Sequence, residues 1–288
     1  MSARFIGVTG LPRSGSTLLC QLLAEHPEIG CEGHSSPLCN LILALRRLVS
    51  DDQFFLSQLD VQFEQSYANL KSAMQGFLRG WHEQSGRPVV VDKNRAWLHC
   101  IELLLELAPE AKLVVTVREL GQIYGSIEAQ HQKTLLVDFI DHLADYDCFG
   151  RADQLFAKDK AVGAPLISLR AMADLPPKVK ERIYLLKFED LMAAPGPTMD
   201  RLYAWLGVAP HTHDFGRLTV RPHESDSHYR MKYRHRQHDH LAAPARHEVP
   251  PRIQRQIESA CAWFYEWFYP EQIAAGKKPP APAKPARR

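Results

Sequence analysis

The chain has 288 residues, 45% hydrophobic and 24% charged, with 35 Lys and Arg against 33 Asp and Glu. A net charge of +2 gives no ground for nucleic acid as a partner, and this length can bury a large core, so a single α/β domain over residues 1–275 is expected. No apolar run approaches the ~20 residues that span a bilayer and none near the start has the length of a signal-peptide core, so a cytoplasmic chain with no membrane contact is expected.

Phe5-Ile6-Gly7-Val8-Thr9 reads as a buried strand. It runs into Gly10-Leu11-Pro12-Arg13-Ser14-Gly15-Ser16-Thr17 and then a helix with Leu18, Leu19, Leu22 and Leu23 on one face. A glycine-bounded loop between strand and helix aims amide dipoles at an anion. The spacing from Gly10 to Thr17 is that of the P-loop G-x-x-x-x-G-K-[ST], with Ser16 in place of the lysine. Without that lysine the β- and γ-phosphates of a triphosphate lose their point charge, so the loop suits an adenine-nucleotide-like ligand of another kind.

His26-Pro27 ends the helix, and Ile29-Gly30-Cys31 is a candidate strand delivering Glu32, Gly33 and His34 to a loop near the cradle. Pro37 opens a helix with Leu38, Leu41, Ile42, Leu45 and Val49 at helical period, and the pattern resumes from Asp51 to Trp81. Val89-Val90-Val91 is an apolar strand ending in Asp92-Lys93, a leucine-rich helix follows to Leu107, and Lys112 to Val117 is a further strand ending in Arg118-Glu119. Apolar strands alternating with amphipathic helices predict an α/β fold: a three-layer parallel sheet with helices on both faces, of the P-loop nucleotide-binding type. Arg13, Lys93 and Arg118 then gather at the carboxyl edge of the sheet, where such folds bind ligands. Three cations there describe a site for a multiply charged anion.

From Thr134 to Arg182 helices and loops are expected. Ile183 to Phe188 reads as a strand, and a helix after Pro195-Gly196-Pro197 ends at Leu206 with Gly207 as its cap. The polar stretch from Arg221 to Arg236, with its histidines and those at His238 and His240, fits no zinc pattern. A last helix is expected over Arg252 to Phe268, and residues 276–288, rich in Pro, Ala, Lys and Arg without periodicity, are expected to be disordered. Six cysteines with no C-x-x-C pair are expected as reduced, buried thiols.

Three segments resemble the sulfotransferases that use 3′-phosphoadenosine 5′-phosphosulfate: Gly10 to Thr17, Val117-Arg118-Glu119 through Gly125-Ser126, and Phe188-Glu189-Asp190-Leu191 with the helix to Gly207. Pro12-Arg13-Ser14-Gly15, His26-Pro27 and Asp92-Lys93 are more similar to the tyrosylprotein sulfotransferase branch and its bacterial relatives. The resemblance implies sulfuryl transfer from that donor, leaving 3′,5′-adenosine bisphosphate, to an acceptor hydroxyl of a peptide tyrosine, a carbohydrate or a small metabolite, with no metal required. Arg13, Ser14, Gly15, Ser16 and Thr17 would hold the 5′-phosphosulfate, and Arg118 and Ser126 the 3′-phosphate. Arg13 and Lys93 would neutralise the leaving group. Glu32 would be the general base, with His34 as the alternative, and Arg230 and Lys232 would reach the 3′-phosphate from a lid. Two other readings stand beside this one: a small-molecule kinase with a degenerate P-loop, and a non-catalytic nucleotide-binding protein of the same fold.

Overall fold

Uninterrupted apolar runs need cover on both faces, and they receive it here. A computed structural model describes residues 3–219, 227–235, 238–242, 244 and 246–272. Five strands, β1 (Arg4–Gly10), β2 (Ile29–Ser35), β3 (Val89–Lys93), β4 (Lys112–Val117) and β5 (Ile183–Lys187), form one parallel sheet in the order β2-β3-β1-β4-β5. From β1 the chain runs to the edge strand β2, returns to β3 between the two, and then crosses to β4 and β5 on the other side, so the reversal in strand order falls beside β1. That places the carboxyl end of β1 at the crevice where such sheets accept ligands.

Side chains alternating along β1 feed two cores. Ile6 and Val8 pack with Leu19, Leu22 and Leu23 of α1 (Ser16–Ala24) and with Met199, Leu202 and Leu206 of α10 (Pro195–Leu206). Phe5 faces the other layer, with Trp97, Leu104 of α4 (Ile101–Leu107), Ile123 and Ile127 of α5 (Leu120–Gln132), and Leu169 of α7 (Gly163–Ala171). The expected three layers are therefore present.

The helices depart from expectation in detail. The pattern from residue 38 to 81 divides at Asp52, whose carboxylate accepts the Phe55 amide at 2.7 Å and so caps a new helix, leaving α2 (Leu38–Asp51) and α3 (Gln53–Trp81). α3 is itself kinked at Gln62. The stretch 134–147 is irregular before α6 (Cys148–Phe156), and the short helices α8 (Pro177–Lys180) and α9 (Phe188–Ala193) flank β5. The last helix breaks at Cys261 into α11 (Pro251–Ala260) and α12 (Ala262–Phe268). Phe264 and Phe268 of α12 are core residues. All six cysteines are free thiols, and the Cys39 and Cys100 sulfurs lie 3.3 Å apart. Among the described residues no helix is long and apolar enough to cross a membrane. The tail at 276–288 and the basic residues Arg221 and Arg236 lie outside the described residues.

Candidate active site

The loop after β1 is held open by backbone conformation. Gly10 (φ 136°), Arg13 (φ 60°) and Gly15 (φ 88°) adopt positive φ, which turns successive amides toward one concavity. A Cβ on Gly10 would lie 2.1 Å from the Thr116 carbonyl oxygen, and one on Gly15 would lie 2.5 Å from the Phe188 ring. The Leu11 amide donates to the Thr116 carbonyl at 3.0 Å, and the Ser14 hydroxyl sits 2.6 Å from both the Leu11 carbonyl and the Thr116 hydroxyl. Ser14 is thus buried, and its side chain ties the loop to β4 rather than facing the concavity.

A cavity of about 470 Å³ opens over this loop. Arg13, Gly15, Ser16, Thr17, Arg118 and Ser126 are among the residues that line it. Arg118 follows β4 and stacks over the Phe188 ring at 4.7 Å, while its Nη1 donates to the Arg13 carbonyl at 3.2 Å. Burial pulls the Arg118 guanidinium below its ordinary value, opposed by the Glu189 and Glu119 carboxylates behind it. Glu119 caps α5 by accepting the Gly121 and Gln122 amides at 3.0 and 2.7 Å, and accepts the Tyr265 hydroxyl at 2.6 Å. Glu189 accepts the Glu119 amide at 3.1 Å and the Tyr269 hydroxyl at 2.8 Å. The arginine is therefore backed by a hydrogen-bonded pair of carboxylates that α12 and the residue after it lock in place.

The same cavity contains groups that sequence reasoning missed. Gln130 and Lys133 stand four and seven positions after Ser126, on one face of α5, a spacing visible in the sequence. His247 also lines it, held by two bonds to Gln122: the His247 amide donates to Oε1 at 2.8 Å, and Nε2 donates to the His247 carbonyl at 3.1 Å. Burial lowers the His247 pKa, and Arg118, Arg13 and Lys133 lower it further. Arg234, His235, His238 and His240 complete the lining from a segment that offers no helical or strand pattern.

Lys93 ends β3 on the opposite side of Ser16. Its Nζ donates to the Thr17 hydroxyl at 2.9 Å and to the Gly33 carbonyl at 3.4 Å. A pocket of about 20 Å³ lies here, lined by Ser16, Ser35, Lys93, Arg95, Tyr229 and His235 among others. Glu32 and His34 line neither space. They project from the edge strand β2, exposed and paired with each other at 3.2 Å.

Arg230 and Lys232 differ most from expectation. Lys232 is fully buried, its amine donating to His131 Nδ1 (3.0 Å), the Thr134 carbonyl (2.8 Å) and the Thr134 hydroxyl (3.1 Å), with the Phe139 ring 5.0 Å away. Arg230 donates to the Phe139 carbonyl at 3.0 Å. Neither lines the cavity. The physical reason is the carboxyl end of α5, whose acceptors and dipole satisfy a cation where Lys232 sits. Among the described residues no cluster of His, Cys, Asp and Glu is arranged to hold a metal.

A profile described as "Sulfotransferase family" matches residues 6–213. Protein-tyrosine sulfotransferase 1 of Mus musculus is 35% identical over 120 residues, covering 40% of this chain and 30% of that protein, so the chain spans under a third of that relative's length. Protein-tyrosine sulfotransferase 2 of Gallus gallus is 26% identical over 208 residues, covering 71% of this chain and 51% of that protein. In fold the chain is similar to a sulfotransferase from Alicyclobacillus acidocaldarius (TM-score 0.53, 11% identity, 96% of this chain and 100% of the other). It is also similar to the sulfotransferase domain from the curacin biosynthetic pathway (TM-score 0.51, 16% identity, 91% and 98%).

Proposed function

Since the chain belongs to the sulfotransferase family, we propose that it moves the sulfuryl group of 3′-phosphoadenosine 5′-phosphosulfate to an acceptor hydroxyl. The observation that supports this reading is one cavity lined both by the loop residues Arg13, Gly15, Ser16 and Thr17 and by Arg118, Ser126 and Lys133, which offers two groups of anion-binding side chains and amides. A nucleotide phosphorylated at both ends of its ribose needs such a pair; a triphosphate, whose charge lies in one chain, needs the lysine that Ser16 replaces.

In this reading the amides of residues 13–17 hold the 5′-phosphosulfate and Arg118 with Ser126 holds the 3′-phosphate. Phe188, packed between Gly15 and Arg118, offers a ring edge for the adenine. Lys93, anchored on Thr17, meets the charge that grows on the 5′-phosphate as the bond to sulfur breaks. The resemblance to two protein-tyrosine sulfotransferases favours a peptide tyrosine among candidate acceptors.

Calorimetry with 3′,5′-adenosine bisphosphate tests the reading. Binding without magnesium, and tighter than ATP with magnesium, is expected. Equal or stronger binding of magnesium-ATP would sink it in favour of a kinase.

A further inference from the structure

Sulfuryl transfer is an in-line displacement, so the acceptor oxygen must approach sulfur from the side opposite the departing 5′-phosphate. In the proposed sulfotransferase reading the 5′-phosphosulfate lies over the loop, and Ser16 of this loop also borders the small pocket beside Lys93, so that pocket is the space open to an approaching acceptor oxygen. That pocket, about 20 Å³, is the size of a single oxygen. Two residues border both spaces, Ser16 of the loop and His235. Ser16 has no basic group to offer, whereas an imidazole can accept a proton at neutral pH. Glu32 and His34 border neither space.

We propose that His235 is the general base, the group that takes the proton from the acceptor hydroxyl at the junction of the two cavities. The proposal rests on the sulfotransferase reading above. In the step, the acceptor oxygen forms a bond to sulfur while the bond between sulfur and the 5′-phosphate oxygen breaks. The electron pair stays on that oxygen, opposite Lys93 and the loop amides. The hydroxyl proton passes to His235 and then to solvent, so that donor and alcohol become bisphosphate, sulfate ester and one proton. The charged and titratable groups lining the two spaces with His235 are Lys93, Arg95 and Tyr229 on the pocket side, and Arg13, Arg118, Lys133, Arg234, His238, His240 and His247 on the cavity side. Arg95 stacks over the Tyr229 ring at 5.4 Å, and both residues line the small pocket.

Water fits the pocket and serves as the probe acceptor: the measured reaction is release of sulfate from the donor by the full chain. His235→Ala is expected to slow it by about 10²-fold and to lose the acid limb of the pH–rate profile. Added imidazole is expected to restore part of the rate, which a merely structural defect would not allow. Bisphosphate affinity, measured on the same preparations, is expected to change less than threefold, and His235→Gln provides a second variant if the alanine form folds poorly. A limb that persists in both variants, or that vanishes instead in Glu32→Gln or His34→Gln, overturns the assignment. So does a wild-type protein that binds bisphosphate yet releases no sulfate. Failure to bind bisphosphate at all would instead overturn the sulfotransferase reading itself.

Discussion

The Arg13 Nε donates to the Ser126 hydroxyl at 3.1 Å, joining the glycine-rich loop to α5 across 113 positions of chain. Arg13 also donates to the Tyr233 and Arg234 carbonyls, each at 2.9 Å. One guanidinium thus ties the loop, α5 and the 233–234 backbone together, and under the proposed function this fixed arrangement lowers the ordering cost of binding.

Ser126→Ala removes one member of the proposed 3′-phosphate station and one partner of Arg13. Affinity for 3′,5′-adenosine bisphosphate is expected to fall about tenfold, in line with a hydrogen bond to a charged group. Affinity for adenosine 5′-monophosphate is expected to stay within twofold. Calorimetry with the two nucleotides reads the difference; equal losses would place Ser126 outside the 3′-phosphate site.

Gly15→Ala meets two obstacles, a positive φ and a Cβ 2.5 Å from the Phe188 ring. A loss of about 1–3 kcal/mol is expected, read as a lower thermal midpoint. Adding Phe188→Ala to Gly15→Ala should relieve the clash but not the backbone strain, so a double-mutant cycle is expected to show coupling without full recovery.

Under the proposed function, His247 in the cavity lining predicts a pH dependence of nucleotide binding whose sign follows from its surroundings. In the free protein its pKa lies below the ordinary 6.5, through burial and the cations Arg118, Arg13 and Lys133. A bound polyanion offsets those cations and raises the pKa, so binding takes up a proton in the window between the two values. Bisphosphate affinity is expected to strengthen as pH falls through that window and to level off below it. Binding enthalpies in buffers of different ionisation heat measure the uptake, and His247→Gln is expected to diminish it.

Lys232→Met tests whether this lysine supports the fold rather than the ligand. Removing its amine leaves the Thr134 carbonyl and His131 Nδ1 without that donor, at a cost of about 2 kcal/mol in unfolding free energy. Bisphosphate affinity is expected to stay within twofold of the parent. A selective loss of affinity at unchanged stability would return Lys232 to the nucleotide site.

The layers and the loop were legible because they rest on local pattern. The runs at 89–91 and 112–117 can be stable only when covered on both faces, and the spacing from Gly10 to Thr17 specifies a turn chemistry. Ser126 and Lys133 share a helix face that periodicity reveals. The segment from Tyr229 to His247 could not be read in this way. Its residues have no helical or strand period, and what positions them are bonds to partners such as Arg13, 220 positions away, and Gln122. Lys232 stood in a basic run, and nothing local says that the end of α5 would bury it. The breaks at Gln62 and Cys261 carry no glycine or proline to announce them.

The bond from Arg13 to the Tyr233 carbonyl spans 220 positions, and its consequence falls in the order of synthesis. The loop is synthesised well before the segment at 233–247 that contributes to the cavity lining, which follows all five strands of the sheet. Until then Arg13 lacks its acceptors at the Tyr233 and Arg234 carbonyls, so a nascent chain has all its strands before the loop is tied from that side. The same holds for a fragment cut at residue 213, where the family match stops. Such a piece would keep the glycine turns and Arg118 but lack Tyr233, which anchors Arg13, and His235 and His247, which line the cavity.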